Sequence, residues 1–184
     1  MFRDNGSTTL TFHKESGGEP DNGSVPVPAR LDAIDRRILR ELQEDGRITN
    51  VELARRIGIS APPCLRRVRA LEQAGYITGY RALLNPKLLG YEVTVFALVH
   101  LSSQADADLK QFEEFVRRKP MVRECWMLSG EVDFILKCVA PDLNTFQNFV
   151  AELTAAPQVR NVKTSLTLRN CKDAALVPME ATEK

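Results

Sequence analysis

The chain has 184 residues, 43% apolar and 27% charged, with a formal net charge of +1 at pH 7; this is enough chain for one large domain or two small ones, and the composition of an ordinary globular protein. No run nears the roughly 18–20 apolar residues of a membrane span, and Met1-Phe2-Arg3-Asp4 turns polar where a secretory leader would turn apolar, so no membrane partner and a cytoplasmic location are expected. Cys64, Cys125, Cys138 and Cys171 lie far apart, with no C-x-x-C and no Cys/His pair, so neither a metal site nor a cofactor is expected and the thiols are expected as packing residues.

Charge is unevenly spread. Residues 30–90 carry 12 Lys and Arg against 7 Asp and Glu, a net of +5, whereas 1–29 and 91–184 each carry −2. Basic charge gathered in one segment points to a local polyanion-binding surface. Residues 1–29 are rich in Gly, Ser, Asn and Pro without apolar periodicity, and are expected as a disordered extension. From there Leu31, Ile34, Ile38 and Leu42 recur at helical spacing, with Asp32 placed to cap and Gly46 to stop the helix. Thr49 and Glu52 form a capping-box pattern for a second helix, which buries Leu53, Ala54 and Ile57 and ends at Gly58. A third helix is expected over about 61–74, with Leu65, Val68 and Leu71 inward and Gly75 as its stop. Residues 76–84 alternate like a linker strand and end at Asn85-Pro86. The remainder reads strand (91–102), helix (106–119), strand (122–129), strand (132–140), helix (142–154), strand (159–169). The whole is an α+β chain: an N-terminal tri-helical (winged) helix-turn-helix over 30–75, a linker strand over 76–90, a C-terminal ferredoxin-like βαββαβ domain over 91–170, and a tail over 171–184.

In a helix-turn-helix the second helix of the motif enters the major groove by its N-terminal end. Here that helix follows the turn Gly58-Ile59-Ser60. Its face opposite Leu65, Val68 and Leu71 carries Pro63, Arg66, Arg69, Ala70 and Gln73, with Arg67 on the flank. Guanidinium groups bridge the acceptors of guanine or clamp phosphate, which suits such a face; the plain alternative is a solvated helix surface. Pro62 and Pro63 remove the first-turn N–H groups that a Ser60 cap would hold, leaving the Ser60 hydroxyl for a phosphate oxygen.

The stretches Asn50-Val51-Glu52-Leu53-Ala54, Pro63-Cys64-Leu65-Arg66-Arg67-Val68, Leu71-Glu72 and Gly79-Tyr80-Arg81-Ala82-Leu83-Leu84-Asn85-Pro86 resemble the Lrp/AsnC family, the feast/famine regulators. Ser129-Gly130-Glu131-Val132-Asp133-Phe134-Ile135-Leu136 resembles that family's second signature, in the ligand-binding domain. The resemblance spans roughly 31–168. It implies a transcription regulator that binds a pseudo-palindromic duplex, a homodimer built by pairing βαββαβ sheets, often an octamer, and an amino acid or related effector held between subunits. Carried onto this chain, the DNA contacts are Ser60, Pro63, Arg66, Arg67 and Arg69. The effector site centres on Gly130, Glu131, Val132 and Asp133, with Trp126, Leu143, Ser165 and Thr167 as further candidates. Three departures, Pro62 where a hydroxyl is frequent, Val132 where an aromatic is common and Gln158 where Gly is common, leave a polar DNA contact and the effector's identity open.

Physically, Gly130 permits a tight turn whose exposed N–H groups suit a carboxylate, while Asp133 suits an ammonium group. The alternative is a plain hairpin with Asp133 solvated or bonded to turn amides. His100 is expected as a satisfied strand or interface histidine and Trp126 as a packing residue; His13 falls in the N-terminal extension. Enzymes of a haem-pathway decarboxylase group share the two-part form, but they would need clamping His and Arg in the α+β domain, where His100 is the only histidine. No G-x-S-x-G, P-loop or dinucleotide pattern occurs either, so the chain is not expected to be an enzyme. A ligand-independent architectural DNA-binding protein shares every one of these features except the ligand response.

Overall fold

A computed structural model describes residues 31–174 and 177–179; the expected N-terminal extension and the end of the tail lie outside them. The chain divides into two units, one ending in the segment 48–78 and the other built mainly from 79 onward.

The first unit is three helices: α1 (Ala33–Glu44), α2 (Asn50–Ile57) and α3 (Ala61–Gln73). The expected Asp32 cap is present, and it is reciprocal. The Asp35 N–H donates to Asp32 Oδ1 at 2.7 Å, and the Asp32 N–H donates to Asp35 Oδ2 at 3.2 Å. α1 ends at Glu44, before Gly46, and Gly46 does not adopt a left-handed conformation. Gly58 does, at φ 77°, which lets its N–H reach back to Ala54 and Arg55 and closes α2.

The capping box forms only by half. Thr49 Oγ1 accepts from the Glu52 N–H at 3.3 Å, but the Glu52 carboxylate turns to Arg55 and Arg56 instead of the Thr49 N–H. A guanidinium offers charged, paired donors, and a neutral N–H competes poorly with it. Hydrogen bonds from Arg55 first, then Arg56, hold the Glu52 carboxyl down to about 2. Because the folded value lies below the unfolded one, this contribution is present above the ordinary glutamate range and is lost as pH falls toward about 2. Glu52→Gln is expected to flatten the acid-side fall of the thermal midpoint over that window, as read by circular dichroism.

α3 is rotated relative to expectation. Its buried residues are Cys64 and Leu71, with Val68 half-buried, while Leu65 is 37% exposed. The inward stripe runs 64-68-71, with Cys64, a small apolar side chain, fully buried where Leu65 was expected. The same rotation draws Arg67 inward. Residues 76–84 are a second correction: they are neither helix nor strand, and a 3-10 turn, Lys87–Leu89, follows. Alternation gives a ladder only where a neighbouring strand supplies partners, and this segment pairs with none of the described strands.

The second unit follows the expected βαββαβ order: β1 (Val93–Leu101), α4 (Asp106–Arg117), β2 (Val122–Met127), β3 (Phe134–Ala140), α5 (Leu143–Thr154) and β4 (Val159–Leu166). The strands form one antiparallel sheet in the order β2-β3-β1-β4. Val95, Ala97, Val99 and Leu101 of β1 and Phe134, Leu136, Cys138 and Ala140 of β3 form one buried side of the sheet. Phe112 and Val116 of α4 and Phe146, Phe149 and Leu153 of α5 pack onto it, and the Phe112 and Phe134 rings lie 4.7 Å apart. The intervening β1 and β3 residues Phe96, Leu98, Ile135 and Val139 are only half-buried, on the side without helices.

Candidate functional site

In the first unit, α3 carries the basic face. Arg66 and Arg69 are exposed and have no partner among the described residues, and Ala70 and Gln73 share that side. By contrast, Arg55 bonds Glu52 at 2.7 Å, and Arg56 bonds Glu52 and Glu41 at 3.0 Å. Two guanidinium groups kept free on one helix face, beside others that are neutralised, form a surface fit for phosphate or guanine. Ser60, at the N-cap of α3, is exposed and makes no side-chain cap bond; Pro62 is exposed and Pro63 half-buried. Ser60→Ala is therefore expected to leave the melting temperature unchanged while lowering affinity for specific and random DNA alike, measured by fluorescence anisotropy.

Arg67, expected among the DNA contacts, is ion-paired within the unit. Its Nη1 donates to Asp32 Oδ2 and to Asp35 Oδ1, each at 2.7 Å, and its side chain is 34% exposed. The Asp35 N–H foremost, then Arg67, holds the Asp32 carboxyl below the usual range. Sequence reading also missed Asn50, whose Nδ2 donates to the Ala61 carbonyl at 2.9 Å and braces the start of α3. An Asn opening a helix is so ordinary that it gives no signal of this bond.

In the second unit, the β2–β3 loop holds Gly130 at φ 144°, exposed Glu131 and half-buried Val132. Asp133 is buried, and its carboxylate faces the protein. Oδ2 accepts from the Leu101 N–H and Oδ1 from Gln104 Nε2, both at 2.7 Å. Its own N–H donates to the Val99 carbonyl at 3.1 Å, and its carbonyl accepts from Leu128 at 2.9 Å. This is the arrangement of the hairpin alternative, with the Asp133 carboxylate taken up by the protein's own donors. A buried carboxylate must be matched by donors, and the end of β1 and the segment after it supply them.

Trp126 was expected to pack but is 57% exposed. It stands on an edge strand opposite Ile135, with Nε1 3.5 Å from Glu124 Oε2. At the other edge, Leu143 lines a cleft of about 250 Å3 with Val95, Phe146, Gln147, Val150, Thr164 and Leu166. Ser165 is exposed opposite Phe96, and Thr167 donates through Oγ1 to the Thr94 carbonyl at 2.9 Å. The candidate effector residues thus fall into two groups. One adjoins β2 and the other β4, the two outer strands, and the sheet does not bring them together. His100 is buried on β1 as expected, but neither ring nitrogen has a hydrogen-bond partner among the described residues, so it is not satisfied there.

Comparison with known proteins gives this pair of units its class. Residues 31–78 match a family described as winged helix-turn-helix DNA-binding, and residues 94–177 match the Lrp/AsnC ligand binding domain. The protein is a DNA-binding transcriptional regulator with a separate ligand-binding domain. A leucine-responsive regulatory protein of Rhizobium meliloti (strain 1021) is 61% identical over 152 residues, 82% of this chain and 97% of that protein. A transcriptional regulator from Neisseria meningitidis, solved as a complex with L-methionine, is 37% identical with a TM-score of 0.78, covering 82% of this chain and 97% of that one. A feast or famine regulatory protein from M. tuberculosis, also complexed with L-methionine, is 29% identical with a TM-score of 0.69, covering 78% and 96%. The chain belongs to the Lrp/AsnC family. Its relatives are named as regulators, and no described helix is long and apolar enough to cross a membrane.

Proposed function

We propose that this chain works in the cytoplasm as a homodimer or larger homo-oligomer. It places one α3 per subunit in the major groove of a pseudo-palindromic duplex, and an amino acid shifts its assembly or DNA affinity. The observation that carries the DNA half is the unpaired state of Arg66 and Arg69 beside paired Arg55, Arg56 and Arg67. Two-fold symmetry puts two such helices about one helical turn apart, or a multiple of it, which makes the site pseudo-palindromic.

The uncovered side of the sheet, with Phe96, Leu98, Ile135 and Val139, supports pairing with a second copy, since a half-buried apolar face gains by coverage. The two groups of effector candidates on opposite edges support a site completed between subunits, with the exposed loop residues Gly130 and Glu131 offering their N–H groups to a carboxylate. The L-methionine complexes of two relatives and the leucine-responsive name of a third support an amino acid as the effector. The working division is 30–75 for DNA, 76–90 as linker and 91–170 for assembly and ligand.

The test is a titration of the purified chain against DNA from upstream of its own gene and against a random duplex, each with and without L-leucine, L-methionine or an amino-acid pool. Salt-sensitive binding that prefers the upstream duplex and shifts with an amino acid is the expected result. Specific binding indifferent to every amino acid overturns the effector half. Equal binding to both duplexes overturns the DNA half.

A further inference from the structure

Arg67 stands in the middle of α3, yet it turns away from Arg66 and Arg69. One nitrogen, Nη1, is shared by two carboxylates at 2.7 Å, and those carboxylates are the two halves of the reciprocal cap that starts α1. The contact therefore joins the flank of α3 to the beginning of α1, 32 and 35 residues away in sequence. The apolar stripe that seats α3 is narrow, with Cys64 and Leu71 buried and Val68 half-buried. Which side chains of a helix meet its neighbours is set by how its ridges seat, so a roll about the axis of α3 would re-aim the outward face that carries Arg66 and Arg69. Arg67 lies beside that stripe and opposes the roll, while the Asn50 bond to Ala61 fixes the first turn. Base-reading side chains tolerate only roughly 10–20° of misorientation.

We infer that Arg67 is a positioning residue for DNA recognition, which sets the aim of Arg66 and Arg69 through Asp32 and Asp35 without itself touching DNA. The inference rests on the DNA-binding reading above. A phosphate is a poor rival for this guanidinium, because its approach brings a third negative group toward two carboxylates already bonded to it.

The sign of one substitution separates this role from a direct contact. Asp35→Ala removes a negative charge and keeps Arg67. Were Arg67 a phosphate ligand, the change would loosen its hold within the unit and tighten binding; as a positioning residue, Arg67 keeps only Asp32 of its two anchors and recognition suffers. The probes are a duplex selected by the wild-type chain from a random pool and an unselected duplex, titrated over a range of salt at a temperature where each variant keeps its helical circular dichroism. Arg67→Gln and Asp35→Ala are each expected to lower the selected-to-unselected affinity ratio about tenfold. The double variant should fall no further than either single one. The slope of log K against log salt on the unselected duplex should stay unchanged, whereas a lost phosphate contact would lower it by about 1 per site.

The inference is overturned if Asp35→Ala tightens binding to the selected duplex as much as to the unselected one, if Arg67→Gln lowers the slope, or if neither variant moves the ratio. Should Arg67→Gln fail to fold, Asp35→Ala decides by its sign. If the wild-type chain selects no duplex at all, the DNA-binding reading itself fails, which is a separate and recognisable result.

Discussion

Replacing Arg66 and Arg69 together by glutamine is expected to weaken binding to a specific duplex by roughly a hundredfold or more at physiological salt, since a good arginine–base contact contributes about 1–3 kcal/mol. The fold should be indifferent: both side chains are exposed and without partners among the described residues, and substitutions of that kind stay within about 0.5 kcal/mol. The two arginines also separate by where each reaches. One that reads a base relaxes discrimination at a single position of the site, and one that grips phosphate weakens every sequence equally and lowers the salt slope. Anisotropy titrations at several salt concentrations, with a thermal melt beside each, measure both quantities. A loss below about threefold, well under what one contact supplies, would mean that DNA meets another face of the unit.

Asp133→Ala should damage stability, with any loss of ligand response following from it. The substitution leaves the Leu101 N–H without its acceptor in a buried setting and releases Gln104. Buried hydrogen bonds to a charged group contribute about 1.5–3 kcal/mol, so the expected loss is about 2–4 kcal/mol, a large fraction of a typical domain's stability. The denaturation midpoint reports the size, and hydrogen exchange at the Leu101 amide reports the place, since that N–H should exchange far faster once its acceptor is gone. A variant of unchanged stability that no longer answers to an amino acid would restore the carboxylate to the role of ammonium partner. Asp133→Asn keeps an acceptor for one of the two donors and is expected to fall between.

Which segments become helix and which become strand was legible in residue types and periods. Ile38, Leu53 and Leu71, one from the apolar series of each helix, are buried, and Val95, Ala97 and Val99 alternate along β1 and are buried. The order βαββαβ followed, because period and turn chemistry are local properties carried by neighbouring residues. The basic face was legible for the same reason: Arg66 and Arg69 lie far from the apolar stripe however the helix is rolled, so a modest error in its phase cannot hide them.

Arg67 and Asp133 were not legible, because each sits where a small rotation or a long-range partner decides between solvent and protein. Arg67 is on the border of the stripe, and the choice of Cys64 over Leu65 as the inward residue turns it toward α1, where Asp32 and Asp35 wait from a distant part of the chain. Asp133 belongs to a turn motif that tells nothing of the Leu101 amide 32 residues earlier. The linker failed in the opposite way: residues 76–84 alternate as a strand should, but a strand exists only by its neighbour. Residue periods and turn signals were enough for the three helices, the βαββαβ elements in their order and the outward place of Arg66 and Arg69 on α3, all set by contacts within a few residues. Tertiary structure alone decided which charged groups remain available, because a charge pairs with whatever the fold brings within hydrogen-bond reach, and that neighbour is not written beside it.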